Sequence, residues 1–229
     1  MNLVRFSLIC VILLTCSACA VTERGPLKNE AMGCKFIGIS CSKLQAGKDD
    51  QATLRYIAED AAWTSYNKIM VDPITFWGTE GNEASGTDQQ MLIDFLQQKI
   101  VEAASKYYEV VTKPGPGVMR IDVALSDATS ATPMLRSISV LYPQAHMLSN
   151  IAYAATGKFP FSGGIEGVSK LSDSMTGKVL AGFIDKQVGG GALSTGFQWK
   201  WGDAENALAL WVTRTSDVLH GWTSGKTKP

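Results

Sequence analysis

The chain has 229 residues, of which 45% are apolar and 18% are charged, and its 21 basic residues balance its 21 acidic ones. This length suits one substantial domain, and this composition excludes an intrinsically disordered protein. The balanced charge gives no electrostatic reason to expect nucleic acid as a partner. We therefore expect one folded domain that recognises any partner through a local surface rather than through its net charge.

The N-terminus has the pattern of a bacterial export signal. Arg5 supplies a positive charge, and an apolar stretch follows over residues 6–15. This stretch is too short to cross about 30 Å of hydrocarbon as a helix, which is typical of a signal peptide. Ser17 and Ala18 are small residues directly before Cys19. The pattern predicts cleavage after residue 18 and lipidation of Cys19.

Lipidation would hold the protein in the cell envelope. Two or three acyl chains on Cys19, palmitate among them, are enough for stable anchoring. Ala20 stands where the signal for inner-membrane retention is typically an aspartate, so we expect the outer membrane, with the domain facing the periplasm. One alternative stays open. Residues 18–20 also fit an ordinary cleavage site after Ala20, which would release a soluble periplasmic protein.

Removal of the leader leaves Cys34 and Cys41 besides Cys19. In an oxidising periplasm such a pair predicts a disulfide, and the alternative is two unpaired apolar cysteines. The expected organisation is a signal peptide at 1–18, a lipid-anchored tether at 19–35, one domain at 36–222 and a polar tail at 223–229.

The first half of the domain shows both strand and helix periodicity. Residues 66–77 are rich in β-branched and aromatic side chains and predict a strand that ends near Pro73. Thr87 is the predicted N-cap of a helix that runs to about Lys106. A short β-like run at 108–112 and a turn at 114–117 precede an alternating strand over 118–126.

The second half begins with an ambiguous apolar segment at 133–157, in which we predict a short helix near 145–155. Strands at 164–171 and 178–188 flank a hairpin loop that contains Gly177. After a glycine-rich loop, apolar residues three and four apart predict a helix from about residue 203 to 222. This order predicts a two-layer α+β fold, with a mainly antiparallel sheet of about five strands and two main helices on one face.

No motif in the sequence predicts a cofactor or a metal. His146 and His220 lack metal-ligand spacing. The S-x-x-K pattern at 65–68 lies in a predicted strand, where its lysine would not reach its serine. The glycine run at 189–196 lacks the lysine of a phosphate-binding loop. We expect no cofactor, no metal and no nucleic-acid partner.

Carboxylates at strand ends suggest an alternative function, that of a hydrolase. Asp72, Asp122, Asp173 and Asp185 lie in or beside predicted strands. Two of them converging in a cleft would suit a hydrolase acting on envelope material, with Asp72 and Asp122 as the first candidates. Aspartates are also common in turns at such positions. Our leading hypothesis is therefore that the protein has no catalytic activity.

Aromatic residues bracket the first strand of the domain and precede its last helix. Core packing explains most of them, whereas an exposed subset would mark a partner surface. The candidates for that surface are Trp63, Tyr66, Phe76, Trp77, Phe197, Trp199 and Trp201.

Several of these segments resemble one family. They are SYNKIMVDPITFW at 65–77, PGPGVMRIDVALSD at 114–127, DSMTGKVLAGFID at 173–185, and WGDA at 201–204 together with Trp211. In this order they are similar to the bacterial lipoproteins grouped as domain of unknown function 3313, over about residues 36–219. The resemblance implies export, a lipid anchor and a single α+β domain, and it implies no activity and no site residue. We expect a non-enzymatic envelope lipoprotein with a periplasm-facing binding or assembly-accessory domain, whose partner is an envelope protein or another envelope component.

Overall fold

The structure is a computed structural model that describes residues 22–78, 83–130, 163–189 and 200–229. Within these ranges, nine strands form one sheet and three α-helices pack on it. The strands are β1 (Thr22–Arg24), β2 (Gln45–Ala46), β3 (Leu54–Ile57), β4 (Lys68–Val71), β5 (Thr75–Phe76), β6 (Glu109–Val110), β7 (Val118–Thr129), β8 (Gly164–Asp173) and β9 (Val179–Gly189). The helices are α1 (Glu30–Ile37), α2 (Gly86–Ala104) and α3 (Gly202–Thr223).

The strand order is β2-β3-β9-β8-β7-β4-β6, with β1 also paired to β9 and β5 also paired to β7. The long strands β7, β8 and β9 are antiparallel neighbours. In contrast, β4 and β5 run parallel to β7, and β6 runs parallel to β4. The fold is α+β, but the predicted mainly antiparallel sheet of about five strands is wrong in both number and direction.

The error in direction has a physical cause. A parallel pair needs a long crossover, which is usually a helix, whereas an antiparallel pair needs only a tight turn. Helix α2 is such a crossover, because it carries the chain from β5 back to β6 and β7 beside β4. The error in number arises because strands of two to four residues, such as β2 and β3, are too short to show an alternating pattern.

One predicted boundary shifts slightly in the structure, and one predicted turn lies where it was expected. Helix α2 begins earlier than predicted, because Ser85 rather than Thr87 caps it. The hydroxyl of Ser85 accepts the backbone N–H of Asp88, and the Asp88 carboxylate accepts the backbone N–H of Ser85, which is a capping box. The β8–β9 hairpin turns at Gly177, whose φ of 71° lies in the left-handed region that favours glycine.

The two faces of the sheet are covered differently. The α1 face carries Ala124, Val168 and Ile184, which pack with Cys34 and Ile37 of α1. The opposite face, here called the α2–α3 face, carries two apolar clusters. One cluster contains Ile121, Leu171 and Ala181 together with Leu219 and Trp222 of α3, and the other contains Leu125 and Ile165 together with Leu92, Leu96 and Leu208. The two main helices therefore share one face, while α1 adds a third layer that the two-layer prediction lacked.

The described part of the predicted tether at 19–35 is not a free linker. Strand β1 pairs with β9, and α1 packs on the sheet through Gly33, whose Cα lies against Ile184. The predicted tail at 223–229 also folds back, since Lys226 and Thr227 donate their backbone N–H groups to the carbonyl of Gly221. Short polar segments have no periodicity of their own, so only their tertiary contacts reveal that they are ordered.

The helix predicted near 145–155 lies outside the described residues. Within the described ranges, none of the helices has the length and apolar character needed to span a membrane.

Candidate functional site

A groove lies between the sheet and the two helices of the α2–α3 face. Its volume of about 600 Å³ is within the range of about 300–1,000 Å³ found for small-ligand pockets. Leu171 and Gln187 both line the groove, and Gln187 pairs with Ile165 of β8. Because Ile165 and Leu171 are six positions apart, the groove is about 20 Å long along the strands. Its apolar lining includes Ile100, Ile121, Val123, Phe183, Val212 and Leu219.

Small residues leave room between the sheet and the helices in the middle of this face. Gly167 and Ser169 of β8 and Ala103 of α2 line the groove. Trp211 of α3 packs directly over Gly167, because a Cβ atom at Gly167 would lie 3.3 Å from the indole ring. The glycine therefore lets the ring approach the strand, and the ring forms one wall of the groove.

Asp185 is a buried carboxylate at one end of the groove, and it accepts hydrogen bonds from four donors. Its Oδ1 accepts from the backbone N–H and the hydroxyl of Thr53, at 2.9 and 2.6 Å. Its Oδ2 accepts from Gln187 Nε2 at 2.9 Å and from Trp211 Nε1 at 2.7 Å. These donors use the acceptor capacity of the carboxylate. Asp185 is therefore a positioning residue that fixes Trp211, not a general base.

The charged residues that line the groove balance one another. The cations are Arg55, Arg214 and Lys228, and the carboxylates are Asp50, Asp185 and Asp217. Equal numbers of the two signs give no net attraction for an anionic or a cationic ligand. Affinity in this groove therefore depends on apolar contact.

A buried network of charges lies on the α1 face, opposite the groove. Asp127 is 2% exposed and accepts from Lys186 Nζ at 2.8 Å and from Lys28 Nζ at 2.9 Å. Glu166, which is fully buried, lies 3.7 Å from the same Lys186 Nζ. Burial by itself raises the pKa of Asp127, but the hydrogen bonds and charges of Lys186 and Lys28 outweigh it and lower that pKa.

Asp72 and Asp122, the first candidates of the hydrolase alternative, do not line the groove. Asp72 pairs with the guanidinium of Arg120, and that pairing raises the pKa of Arg120. Asp122 lies 3.5 Å from Arg120 Nε and 3.2 Å from Lys170 Nζ. Each carboxylate thus has a cationic partner on the sheet.

Asp173 also accepts hydrogen bonds that have a structural role. It accepts the backbone N–H and hydroxyl of Thr176, each at 2.8 Å, which lowers its pKa and closes the β8–β9 turn. Its Oδ2 accepts the hydroxyl of Tyr66, and burial together with this hydrogen bond raises the pKa of Tyr66 to about 12. The four aspartates therefore do not converge into one acidic site.

Most of the described aromatic candidates for a partner surface lie in the core. Trp63, Tyr66 and Trp201 are buried, and Trp63 packs against Trp222 with ring centroids 5.0 Å apart. Phe76 is partly buried in the cluster that contains Leu92. Trp77 is 36% exposed and contacts Phe36 edge-on. Phe197 and Trp199 lie outside the described residues. The buried rings correct the expectation of an aromatic partner surface at these positions, because aromatic side chains at strand ends gain more by closing the core.

Cys34 and Cys41 are joined by a disulfide with Cα atoms 5.3 Å apart. Glu30 places a carboxylate oxygen within 4.8 Å of both sulfur atoms. A metal site would need thiolates here, and the disulfide consumes them. The bond therefore acts structurally, as a link between α1 and the turn that follows it.

The groove was not predicted from the sequence, although two small residues in a predicted strand indicated it. Gly167 and Ser169 interrupt a predicted strand on its inward-facing positions, which is unusual for a strand that packs under two helices. Ala103 lies on α2, and only the tertiary structure brings it to the same space as Gly167 and Ser169.

Comparisons with solved structures give likenesses of low similarity. A variant PelC dodecamer from Paraburkholderia phytofirmans has a TM-score of 0.40 at 10% identity, covering 72% of this chain and 94% of the other. A DUF330 protein from Xanthomonas campestris has a TM-score of 0.36 at 12% identity, covering 75% and 95%. A DUF4136 protein from Bacteroides thetaiotaomicron has a TM-score of 0.31 at 11% identity, covering 74% and 95%. All three scores are below 0.5, so these likenesses support no conclusion about fold or function.

Among curated proteins, none matches this chain. A match to a protein family does cover most of the domain, from residue 37 to residue 215. Because the matched segment is more than half of the chain, this protein belongs to the family described as Protein of unknown function (DUF3313).

Proposed function

We propose that this protein is an outer-membrane lipoprotein, anchored through an acylated Cys19 and facing the periplasm, whose domain binds the acyl chain of an envelope lipid without catalysing a reaction. The groove on the α2–α3 face carries the proposal. It is apolar, about 600 Å³ in volume, and lined by elements that a buried polar network holds in place.

An apolar space of this size is unfavourable when it is empty. Apolar side chains that face water or an empty space lack the hydrophobic and van der Waals contacts that an apolar neighbour would supply. Water would find few hydrogen-bond partners among side chains such as Val123, Phe183 and Val212. An apolar occupant therefore gains more from this groove than water does.

The shape and charge of the groove favour an acyl chain over other ligands. A space about 20 Å long that follows the strands fits an extended chain rather than a compact ring system. The balanced charge gives no selectivity for a charged metabolite. An anchor at Cys19 would keep the groove beside a bilayer, which is an abundant source of acyl chains.

No observation favours the hydrolase alternative. Asp72 and Asp122 are paired with Arg120 and Lys170 and do not line the groove. Asp185, the carboxylate that does line it, already accepts four hydrogen bonds. A non-catalytic binding function is therefore the better account of this site.

A photoreactive residue in the groove of the full chain tests the proposal in growing cells. We would replace Val212, which lines the groove, with p-benzoylphenylalanine, irradiate the cells and weigh the adducts by mass spectrometry. The matched control is the same replacement at Leu210, which is on the same helix but does not line the groove. We expect lipid adducts at position 212 and few at position 210.

A second substitution separates occupancy of the groove from general contact with the membrane. Ser169→Leu adds an apolar side chain to the groove and should remove the lipid adducts at position 212. Ser65→Leu, at an exposed position, should leave them unchanged. An adduct at position 212 with another protein, or with a different segment of this chain, would contradict the acyl-chain proposal.

A further inference from the structure

The chain that follows the predicted anchor is fixed to the sheet almost at once. Thr22 pairs with Gly189, Glu23 with Val188 and Arg24 with Gln187. The guanidinium of Arg24 donates to the carbonyls of Gly47 and Gln51, at 3.2 and 2.6 Å. These bonds cross-link β1 to the loop before β3.

The next residues are held by the buried charges of the α1 face. Gly25 donates its backbone N–H to the carbonyl of Lys186 at 2.9 Å. The backbone N–H groups of Lys28 and Asn29 donate to the two carboxylate oxygens of the fully buried Glu166, at 2.9 and 3.0 Å. Releasing this segment would leave Glu166 buried without these donors, which is strongly unfavourable. Residues 22–29 therefore form part of the rigid domain.

This attachment limits how far the domain can stand from its anchor. The three steps from Cys19 to Thr22 span at most about 11 Å in any conformation. Thr22 lies beside Gly189, and Gly164 and Thr129 lie at the same end of β8 and β7. We infer that this end of the central strands, which we call the anchor end, rests against the lipid surface of the membrane. The inference relies on the lipid anchor of the proposed function, but it does not depend on what fills the groove.

The inferred orientation gives the molecule a near end and a far end. Strand β8 extends about 30 Å from Gly164 to Asp173, so Met175 in the β8–β9 turn is the far end. The start of α2 is near the membrane, because Glu83 donates its backbone N–H to the carbonyl of Ala128. The groove runs between the two ends, and its Asp185 end is the one nearer the bilayer.

Single fluorescent labels on the lipidated full-length protein test this orientation. The mature chain has no cysteine besides the acylated Cys19 and the Cys34–Cys41 disulfide, so one added cysteine gives one labelled site. Thr87→Cys labels the near end, and Met175→Cys labels the far end; both positions are exposed. In vesicles of phosphatidylethanolamine and phosphatidylglycerol that contain nitroxide-headgroup lipids, we expect severalfold stronger quenching at position 87 than at position 175.

A linker variant provides the control. Twenty Gly/Ser residues inserted between Ala20 and Val21 span about 25 Å on average. They should reduce the quenching at position 87 to the level found at position 175. Equal quenching at both positions in the original protein, with Cys19 shown by mass to be acylated, would overturn the orientation alone. A mature protein without acyl chains on Cys19 would overturn the anchoring, and the orientation with it.

Discussion

The two faces of the sheet differ in how completely they are packed. The α1 face is filled and cross-linked, by the disulfide between Cys34 and Cys41 and by the charges of Asp127, Glu166 and Lys186. The α2–α3 face leaves a groove of about 600 Å³ between helices and sheet. The difference indicates a division of roles. One face fixes the N-terminal segment to the domain, and the other leaves an apolar space, which is where we propose that an acyl chain binds.

The largest expected effect tests whether the charges of the α1 face are structurally essential. Lys186→Met removes the cation that lies between Asp127 and Glu166. We expect the free energy of unfolding, measured with urea, to fall by about 3 kcal/mol, because the two carboxylates stay buried with less compensation. Lys178→Met is the control, since Lys178 pairs with an exposed Asp60. Equal losses in the two variants would remove the distinction between buried and exposed pairs.

The disulfide of the same face should contribute almost as much. Cys34 and Cys41 are seven residues apart, so their bond closes a short loop in the unfolded chain. We expect the double variant Cys34→Ala/Cys41→Ala to lose about 2–3 kcal/mol in urea unfolding. An unchanged midpoint would mean that α1 is held by its packing with Ile184 rather than by the bond.

The packing of the two faces can be compared directly with one type of substitution. Ala124→Leu places a larger side chain in the filled α1 face, where overpacking costs about 1–3 kcal/mol. Ala103→Leu places the same side chain in the groove, where we expect a change of less than about 1 kcal/mol because the space is already open. Thermal unfolding of both variants measures the contrast. A larger loss for Ala103→Leu would show that the groove is not a real space in solution.

The smallest expected effect is a decrease in the free energy of unfolding at low pH. Asp127 has a lowered pKa in the folded protein, so its contribution is fully present above the ordinary aspartate value of 3.8 and is lost as the pH falls below it. We expect the free energy of unfolding to decrease between about pH 5 and about pH 2, with a shallower slope in Asp127→Asn. Identical slopes would assign the acid sensitivity to other carboxylates, such as Asp173.

The central elements were predictable because their periodicity is strong. Alternation over 118–126 and 178–188 and apolar spacing over 203–222 predicted strands β7 and β9 and helix α3 to within a few residues. The elements before residue 60 were not predicted. Strand β1 and helix α1 are too short to show a clear periodicity, and they are stabilised by contacts with β8 and β9 that are more than a hundred residues away in the chain.

The candidate site was less predictable than the fold. The sequence pointed to aromatic residues such as Trp63 and Trp201, and the structure buries both. It gave no indication that Trp211 and Asp185 would meet, because their hydrogen bond joins a helix to a strand across the groove. In addition, no single residue in the sequence indicates where the groove lies. The groove results from small side chains, among them Ser169 and Ala103, that line the same space only after folding.

The sequence by itself predicted an export signal and an anchor at Cys19, and it determined the family and the α+β class, because each depends on local composition, on spacing or on motifs in a fixed order. The tertiary structure alone decided the mixed sheet, the groove and the fixed N-terminal segment. These features depend on which distant residues become neighbours, and pairings such as Thr22 with Gly189 leave no mark on local periodicity. The expected anchor therefore comes from the sequence, whereas the short distance between that anchor and the domain comes from the fold.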